Sequence, residues 1–394
     1  MERVIVVGGG LAGVRSVEAL RAKGYEGELT LVSAEPHPPY DRPPLSKAVL
    51  MGDQEETTVD ADWTALRCRL LLGERAGGLR LGEEGGTLAT TAGDLPFDGL
   101  VIATGAAPIT LPGDGPQHVL RTIDDARRLR SQLREGARIA IVGAGWIGAE
   151  VATAAAAKGC AVTVVEAADA PLAGPLGAEL GAHTVPWYAE AGVELRTGAK
   201  VASVEPGALV LADGDRIAAD AIVVGIGVRP DLGWLAGSGL EVDGGVVTDE
   251  TLRTGHPRVV AVGDCASWWS RRYRRRMLVE HWDTALNAPD VAAATLLGRP
   301  AVYDPVPYFW SEQFGRMVQY AGHHPIAERL VYRGDPTERR WAACWFTGDR
   351  LEAILTVDRP RDLVQARRLI AEGARLDAAA VADPDTPLRK AVLT

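Results

Sequence analysis

A glycine fingerprint that occurs twice, each time behind a short apolar run and ahead of a helical stripe, predicts an α/β chain with two Rossmann-like dinucleotide-binding domains. A strand-rich pattern beyond Pro305 adds a carboxy-terminal α+β domain. The fingerprints are Gly8, Gly10, Gly13 and Gly143, Gly145, Gly148. In such a GxGxxG turn the first glycine allows the tight bend, the second admits a pyrophosphate to backbone N–H groups, and the third lets helix and strand pack closely. One match in a chain with 45 glycines is weak evidence. Two matches, both in full context, predict two dinucleotides on one polypeptide.

Arg3–Val7 reads as a short buried parallel strand. Leu11–Lys23, with Val14, Val17 and Leu20 on one stripe and Gly24 behind it, reads as the helix after the first turn. Leu29–Ser33 is the next strand, and Glu35 just beyond it is placed to accept from a ribose diol. Leu100–Ala103 is a strand closed by the tight turn of Thr104 and Gly105, and Pro108 and Pro112 mark a crossover. The second unit repeats the plan with a strand at Arg138–Val142, a helix at Trp146–Lys158 closed by Gly159, and a strand at Ala161–Val165 with Glu166 at its end. Strand-like runs at Val193–Leu195, Ala208–Leu211 and Ala221–Val224 follow, and Pro230 marks the exit. Arg258–Val262, ending at Gly263 and Asp264, has no helical unit of its own and is expected to return to the first sheet. Met317–Ala321, Arg329–Tyr332, Trp341–Phe346 and Leu351–Val357, then a helix at Asp362–Glu372, make the last domain. The expected division is 1–110 and 235–305 for the two parts of the first domain, 111–234 for the second, and 306–394 for the α+β domain.

At 394 residues, 47% hydrophobic and 24% charged, the chain has the composition of a soluble globular protein of two or three domains. A formal charge of −10 disfavours nucleic acid as a partner. No apolar run reaches the roughly 18 residues that span a bilayer, and Val4–Val7 is too short for a signal-peptide core. A cytoplasmic location without membrane attachment is expected. Cys68, Cys160, Cys265 and Cys344 are isolated from one another, so neither CxxC redox chemistry nor a metal site is encoded locally. They read as small buried hydrophobes.

The stretch Pro39, Tyr40, Asp41, Arg42, Pro43, Pro44, Leu45, Ser46, Lys47 carries a more specific likeness. With Ala103–Gly105 (ATG), Val224–Pro230 (VGIGVRP), Gly263–Asp264, Glu280–Ala285 (EHWDTA) and Tyr308–Gln313 (YFWSEQ), the chain resembles, over essentially its whole length, the FAD-dependent NADH:ferredoxin reductases. This is the family of putidaredoxin reductase and biphenyl dioxygenase reductase, built on the pyridine nucleotide-disulfide oxidoreductase fold. The resemblance implies a glutathione reductase-like arrangement with FAD on the first fingerprint and NADH on the second. It implies electrons passed from NADH through FAD, one at a time, to an iron–sulfur ferredoxin that serves a cytochrome P450 or Rieske oxygenase.

What the likeness implies for individual residues is equally concrete. FAD is expected on Gly8, Gly10, Gly13 and Glu35, with Arg42 and Lys47 on the segment that covers it, Thr104 and Gly105 in the ATG turn, and Gly263 and Asp264 at the ribityl chain. Five prolines between Pro36 and Pro44 stiffen that covering segment. Lys47 is expected beside the reactive edge of the flavin and paired with Glu150, and these two are the candidate catalytic residues; a fixed cation there favours the reduced ring. The helix beginning near His281 and Trp282 is expected to aim its positive end at the flavin, and Trp310 to lie near the flavin face. NADH is expected on Gly143, Gly145, Gly148 and Glu166. No Arg or Lys lies between Ala167 and His183 to meet a 2′-phosphate, so NADH is favoured over NADPH. Trp146 fits two roles, a flap over the flavin or packing against the sheet.

The run Arg271, Arg272, Tyr273, Arg274, Arg275, Arg276 fits either a docking surface for an acidic ferredoxin or a solvated loop. Glu312 stands where the family carries Asp, and Asp169 and Ala170 stand where it commonly has an arginine. Pro289 inside the His281–Gly298 helix costs about 3 kcal/mol and predicts a kink or a split. A coenzyme-A-disulfide reductase or NADH oxidase would want a cysteine in Tyr40–Lys47, and none is there. The alternative from another class is a redox-sensing binding protein resembling apoptosis-inducing factor.

Overall fold

The computed structural model describes residues 1–393. The principal elements, in chain order, are β1 (Arg3–Val7), α1 (Leu11–Ala22), β2 (Glu28–Ser33), β3 (Cys68–Leu72), β4 (Gly99–Ile102), β5 (Arg138–Val142), α2 (Trp146–Ala157), β6 (Ala161–Val165), β7 (Glu194–Arg196) and β8 (Ala221–Val224). They continue with β9 (Val259–Ala261), α3 (Trp282–Leu296), β10 (Tyr308–Gln313), β11 (Arg316–Gly322), β12 (Arg329–Arg333), β13 (Trp341–Thr347), β14 (Arg350–Val357) and α4 (Pro360–Glu372). They fall into two compact units. One comprises residues 1–41, 56–107 and 229–307; the other comprises 42–55, 108–228 and the chain from Tyr308 onward.

The first unit is organised on a parallel sheet of order β9-β4-β1-β2-β3, in which Val4 stands opposite both Leu29 and Gly99. The strand at 259–261 therefore does return to the first sheet, with Val259 opposite Leu100. Its strands are continuous apolar runs because elements cover both faces. On one side Ile5, Val7, Leu100 and Ile102 join Leu79, Leu88 and Phe97 in a common core. The latter three come from a three-stranded antiparallel sheet, Ala76–Gly82, Gly85–Thr90 and Gly93–Phe97. Helix α1 packs along α3, and Lys23 reaches Asp290 of α3 at 2.8 Å. Helix α3 runs unbroken through Pro289, so the split expected from that residue does not occur. Pro289 is buried, and the packing that covers it outweighs a propensity term of about 3 kcal/mol.

The second unit carries a parallel sheet of order β7-β6-β5-β8. Ile139, Ile141, Val162, Val164 and Val223 pack on Ala149, Ala152 and Ala155 of α2, and Leu50 from the 42–55 segment belongs to the same core. Small residues on α2 let that helix lie close to the sheet. The chain from Tyr308 forms an antiparallel sheet of order β10-β11-β14-β13-β12, with α4 packed across β14 and β11. Trp341, Trp345, Leu355 and Val357 of this sheet share a core with Leu176, Leu180 and Trp187.

Candidate functional site

The two glycine turns are geometric copies. Gly8 has φ +121° and Gly143 has φ +96°, a region that side chains rarely tolerate. A Cβ on Gly13 would stand 1.9 Å from the carbonyl oxygen of Gly8, and one on Gly148 would stand 1.9 Å from that of Gly143. The middle glycines differ: around Gly10 and Gly145 a Cβ would meet nothing within 4 Å. Each of these is the N-cap of its helix, α1 or α2, and neither cap nor first turn supplies a side-chain acceptor or an acid to the leading N–H groups. Each turn is an open face lined by helix N-terminal donors, the form that takes a phosphate.

An acid flanks each turn. Glu166 accepts from the N–H of Ala144 at 2.7 Å on one oxygen and from that of Ala168 at 2.8 Å on the other. The carboxylate is locked against the second turn while keeping lone pairs on both oxygens. Glu35 accepts from the hydroxyl of Tyr40, a partner that sequence reasoning passed over although Tyr40 lies in the motif that carried the likeness. Thr104 and Gly105 engage protein rather than open space: Thr104 donates to the carbonyl of Asp231 at 3.0 Å, and the carbonyl of Gly105 accepts from the Asp231 N–H at 3.1 Å.

The proline-stiffened segment forms a single 3-10 turn, Pro43–Ser46. Arg42 donates to the carbonyl of Arg121. Lys47 Nζ lies 2.8 Å from Glu150 Oε2, with the Lys47 side chain 20% and the Glu150 side chain 4% exposed. The expected pair is formed. Its surroundings were not foreseen: Ser46 also donates to Oε2, while Ser311 Oγ donates to Oε1 at 2.6 Å and the N–H of Glu312 reaches the same oxygen at 3.3 Å. Ser46 and Ser311 both sit inside motifs read for their neighbours, Lys47 and Trp310.

Gly263 and Asp264 lie in a 3-10 turn, and a Cβ on Gly263 would stand 3.0 Å from Cβ of Ala12 on α1. His281 caps α3 through its backbone, accepting from the N–H of Thr284 at 3.0 Å. Burial pushes the His281 imidazole down to about 4, against the opposing charge of Asp264. The indole of Trp282 donates to Asp41 Oδ1 at 2.8 Å. Trp310 stacks on Tyr308, centroids 6.0 Å apart, with the Arg367 guanidinium over the Tyr308 ring at 5.1 Å. Trp146 packs, but on Phe309 of β10, edge-on at 4.6 Å, rather than on its own sheet.

The arginine run spans the turn of a hairpin, residues 271–274, and the start of its second strand, between strands Ala266–Ser270 and Arg275–Leu278. Arg271 pairs with Glu250, and Arg276 donates to the carbonyls of Thr248 at 2.8 Å and Ser267 at 3.2 Å. At least two of the five guanidinium groups are thus engaged within the unit. The four cysteines are free thiols. Burial raises Cys160, pushes Cys68 and Cys265 up to about 11, and pushes Cys344 up to about 12, so none offers a thiolate at neutral pH. Among the described residues no His, Cys, Asp and Glu cluster forms a metal site, and no helix is long and apolar enough to cross a membrane.

Residues 2–288 match the family model of pyridine nucleotide-disulphide oxidoreductases, and 308–392 match that of the reductase C-terminal domain. The chain belongs to the pyridine nucleotide-disulphide oxidoreductases. This oxidoreductase is 37% identical over 403 residues to the ferredoxin–NAD(+) reductase component of the anthranilate 1,2-dioxygenase system of Burkholderia cepacia, covering 98% of each protein. Among solved structures, Fdr9 superposes on it with a TM-score of 0.94 at 50% identity, covering 98% of this chain and 99% of that one. The covalent putidaredoxin reductase–putidaredoxin complex gives a TM-score of 0.94 at 31% identity, covering 99% and 97%.

Proposed function

We propose that this oxidoreductase is an FAD-dependent NADH:ferredoxin reductase that delivers electrons singly to an iron–sulfur ferredoxin serving an oxygenase, of the cytochrome P450 or Rieske kind. The observation that carries the reading is the pair of matching phosphate cradles in a chain whose four cysteines are all unpaired. Two dinucleotides would be held, with no cysteine pair to relay electrons as a dithiol would. The reductase named for a dioxygenase system and the structure of a reductase joined to putidaredoxin support the same conclusion.

Bound FAD supplies the acceptor for a hydride from NADH and a site from which the electrons leave one at a time. The rest is the work of this chain. Gly8, Gly10 and Gly13 with the start of α1 would hold the FAD pyrophosphate, and Glu35, buttressed by Tyr40, its adenosine ribose. Arg42, Thr104, Gly105, Gly263, Asp264, Trp282 and Trp310 would complete the FAD surround. Gly143, Gly145 and Gly148 would hold the NADH pyrophosphate. Glu166, held by two backbone N–H groups, would accept from the NADH ribose diol and repel a 2′-phosphate. Lys47, fixed by Glu150, would present a cation to the flavin, and neutral His281 would add no second one. Arg274 in the hairpin turn and Arg275 at the start of its second strand, both exposed, are the members of the arginine run we assign to ferredoxin steering. A cytoplasmic location accords with four free cysteines.

Stopped-flow reduction of the purified protein by NADH, followed by cytochrome c turnover with and without a [2Fe–2S] ferredoxin, tests the reading. Rapid bleaching of flavin absorbance and ferredoxin-dependent turnover are expected. Slow bleaching to a long-lived charge-transfer complex, with no ferredoxin effect, would overturn it in favour of a redox-sensing binding protein.

A further inference from the structure

The carboxylate of Glu150 gathers donors from two stretches far apart in the chain, Ser46–Lys47 and Ser311–Glu312. Trp146, Glu150 and Thr153 are spaced by four and three residues and so share one stripe of α2. That stripe meets β10 and the residue after it at three points. Trp146 lies edge-on to Phe309 at 4.6 Å, Glu150 Oε1 accepts from Ser311 at 2.6 Å, and Thr153 Oγ1 accepts from the N–H of Phe314 at 2.9 Å. Strand alternation turns Phe309, Ser311 and Gln313 to this side and Tyr308 and Trp310 to the other. Gln313 Nε2 donates to Ser311 Oγ at 3.1 Å, which leaves the Ser311 proton to Glu150. Ser46 and Lys47 occupy the opposite oxygen, Oε2.

We propose that Ser311 is a positioning residue for Lys47. By engaging Oε1 it fixes the rotation of the Glu150 carboxylate, so that Oε2 faces the Lys47 ammonium. The carboxy-terminal domain thereby sets where the cation stands. The Ser311 hydroxyl is 2.6 Å from Glu150 Oε1, and Ser311 is itself 1% exposed, so the bond lies away from bulk solvent. The inference rests on the reading that Lys47 lies beside a bound flavin.

The test compares the holoenzyme with Ser311→Ala, Ser311→Thr and Ser46→Ala by three measurements: the FAD midpoint potential, the rate of flavin bleaching by NADH as a function of pH, and the dissociation constant for NADH. Loss of a hydrogen bond to a charged group predicts bleaching slowed about tenfold in Ser311→Ala. A more negative potential, an altered pH profile and unchanged NADH binding are expected with it, as is rescue by Ser311→Thr. Ser46→Ala, which frees Oε2 beside Lys47, is expected to shift the potential in the same direction. A Ser311→Ala enzyme with the parent's potential, pH profile and bleaching rate overturns the proposal, whatever its melting temperature. Should that variant not fold, Ser311→Cys, which keeps a weaker donor at the position, must show the same slowed bleaching, and parent-like behaviour overturns the proposal. Absence of NADH-driven bleaching in the unsubstituted protein would instead overturn the flavoenzyme reading, and the positioning role with it.

Discussion

Glu166 and His281 show how differently two single side chains can be exposed to test. Glu166 has one backbone donor on each oxygen, which fixes the carboxylate proposed to meet the NADH ribose. Replacing it with alanine removes charge-assisted bonds, so the KM for NADH is expected to rise about tenfold or more while kcat changes little, a pattern read from steady-state kinetics. His281 acts through its proton. Its folded value of about 4 lies below the ordinary 6.5, so between these limits the unfolded chain binds a proton that the native state refuses. Its contribution to stability is therefore intact above pH 6.5 and is lost as pH falls toward 4, by up to about 3 kcal/mol. Urea melts across that range are expected to show the loss, and His281→Gln to flatten it. The glycines, Glu35, Glu166, Lys47 and Glu150 were legible as residues because their chemistry is tied to fixed spacing or to a motif. Tyr40, Ser46 and Ser311 were not, since a lone hydroxyl carries no spacing signal and its partner is supplied by tertiary contact.

At the scale of elements, the strands and helices that flank each glycine turn follow directly from apolar runs and stripes, and their observed bounds lie within a residue or two of those expected, whereas the edge strand β3 was not anticipated. The sheet of Ala76–Gly82, Gly85–Thr90 and Gly93–Phe97 escaped notice because Gly77, Gly78, Gly82, Gly85, Gly86 and Gly93 dilute any strand signal. The arginine run hid a hairpin for a related reason: its charges suppress apolar alternation. Pro289, read as a kink or a split, does not split its helix, since local propensity is outweighed by burial. The last strands and helices are held by Arg333, which is 1% exposed. It donates to both oxygens of Asp362, at 2.9 and 3.3 Å, and to the carbonyls of Val381, Asp383, Pro384 and Thr386. All its donors are used, and segment 381–386 is folded around the guanidinium. Arg333→Met is expected to destabilise the protein by about 3 to 5 kcal/mol and to expose that segment to protease; limited proteolysis with mass spectrometry checks it. Arg333→Lys should rescue little, because an ammonium cannot reproduce the planar fork.

For the molecule as a whole, the repeated cradle explains why a single chain can bring a two-electron donor and a one-electron acceptor into one pathway without a relay of thiols. Replacing Cys68, Cys160, Cys265 and Cys344 together by alanine is expected to leave NADH-dependent ferredoxin reduction essentially unchanged. Iodoacetamide is likewise expected to spare the native enzyme; thiol titration alongside activity measures both. The four donors on Glu150 have a temporal consequence as well. Ser46 and Lys47 leave the ribosome before Glu150, but Ser311 emerges roughly 160 residues after it, a delay of about ten to thirty seconds at ordinary translation speeds. Through that interval the nascent chain holds both glycine turns yet only half of the donors that orient this carboxylate. Full orientation of this carboxylate thus waits for the domain that carries Ser311.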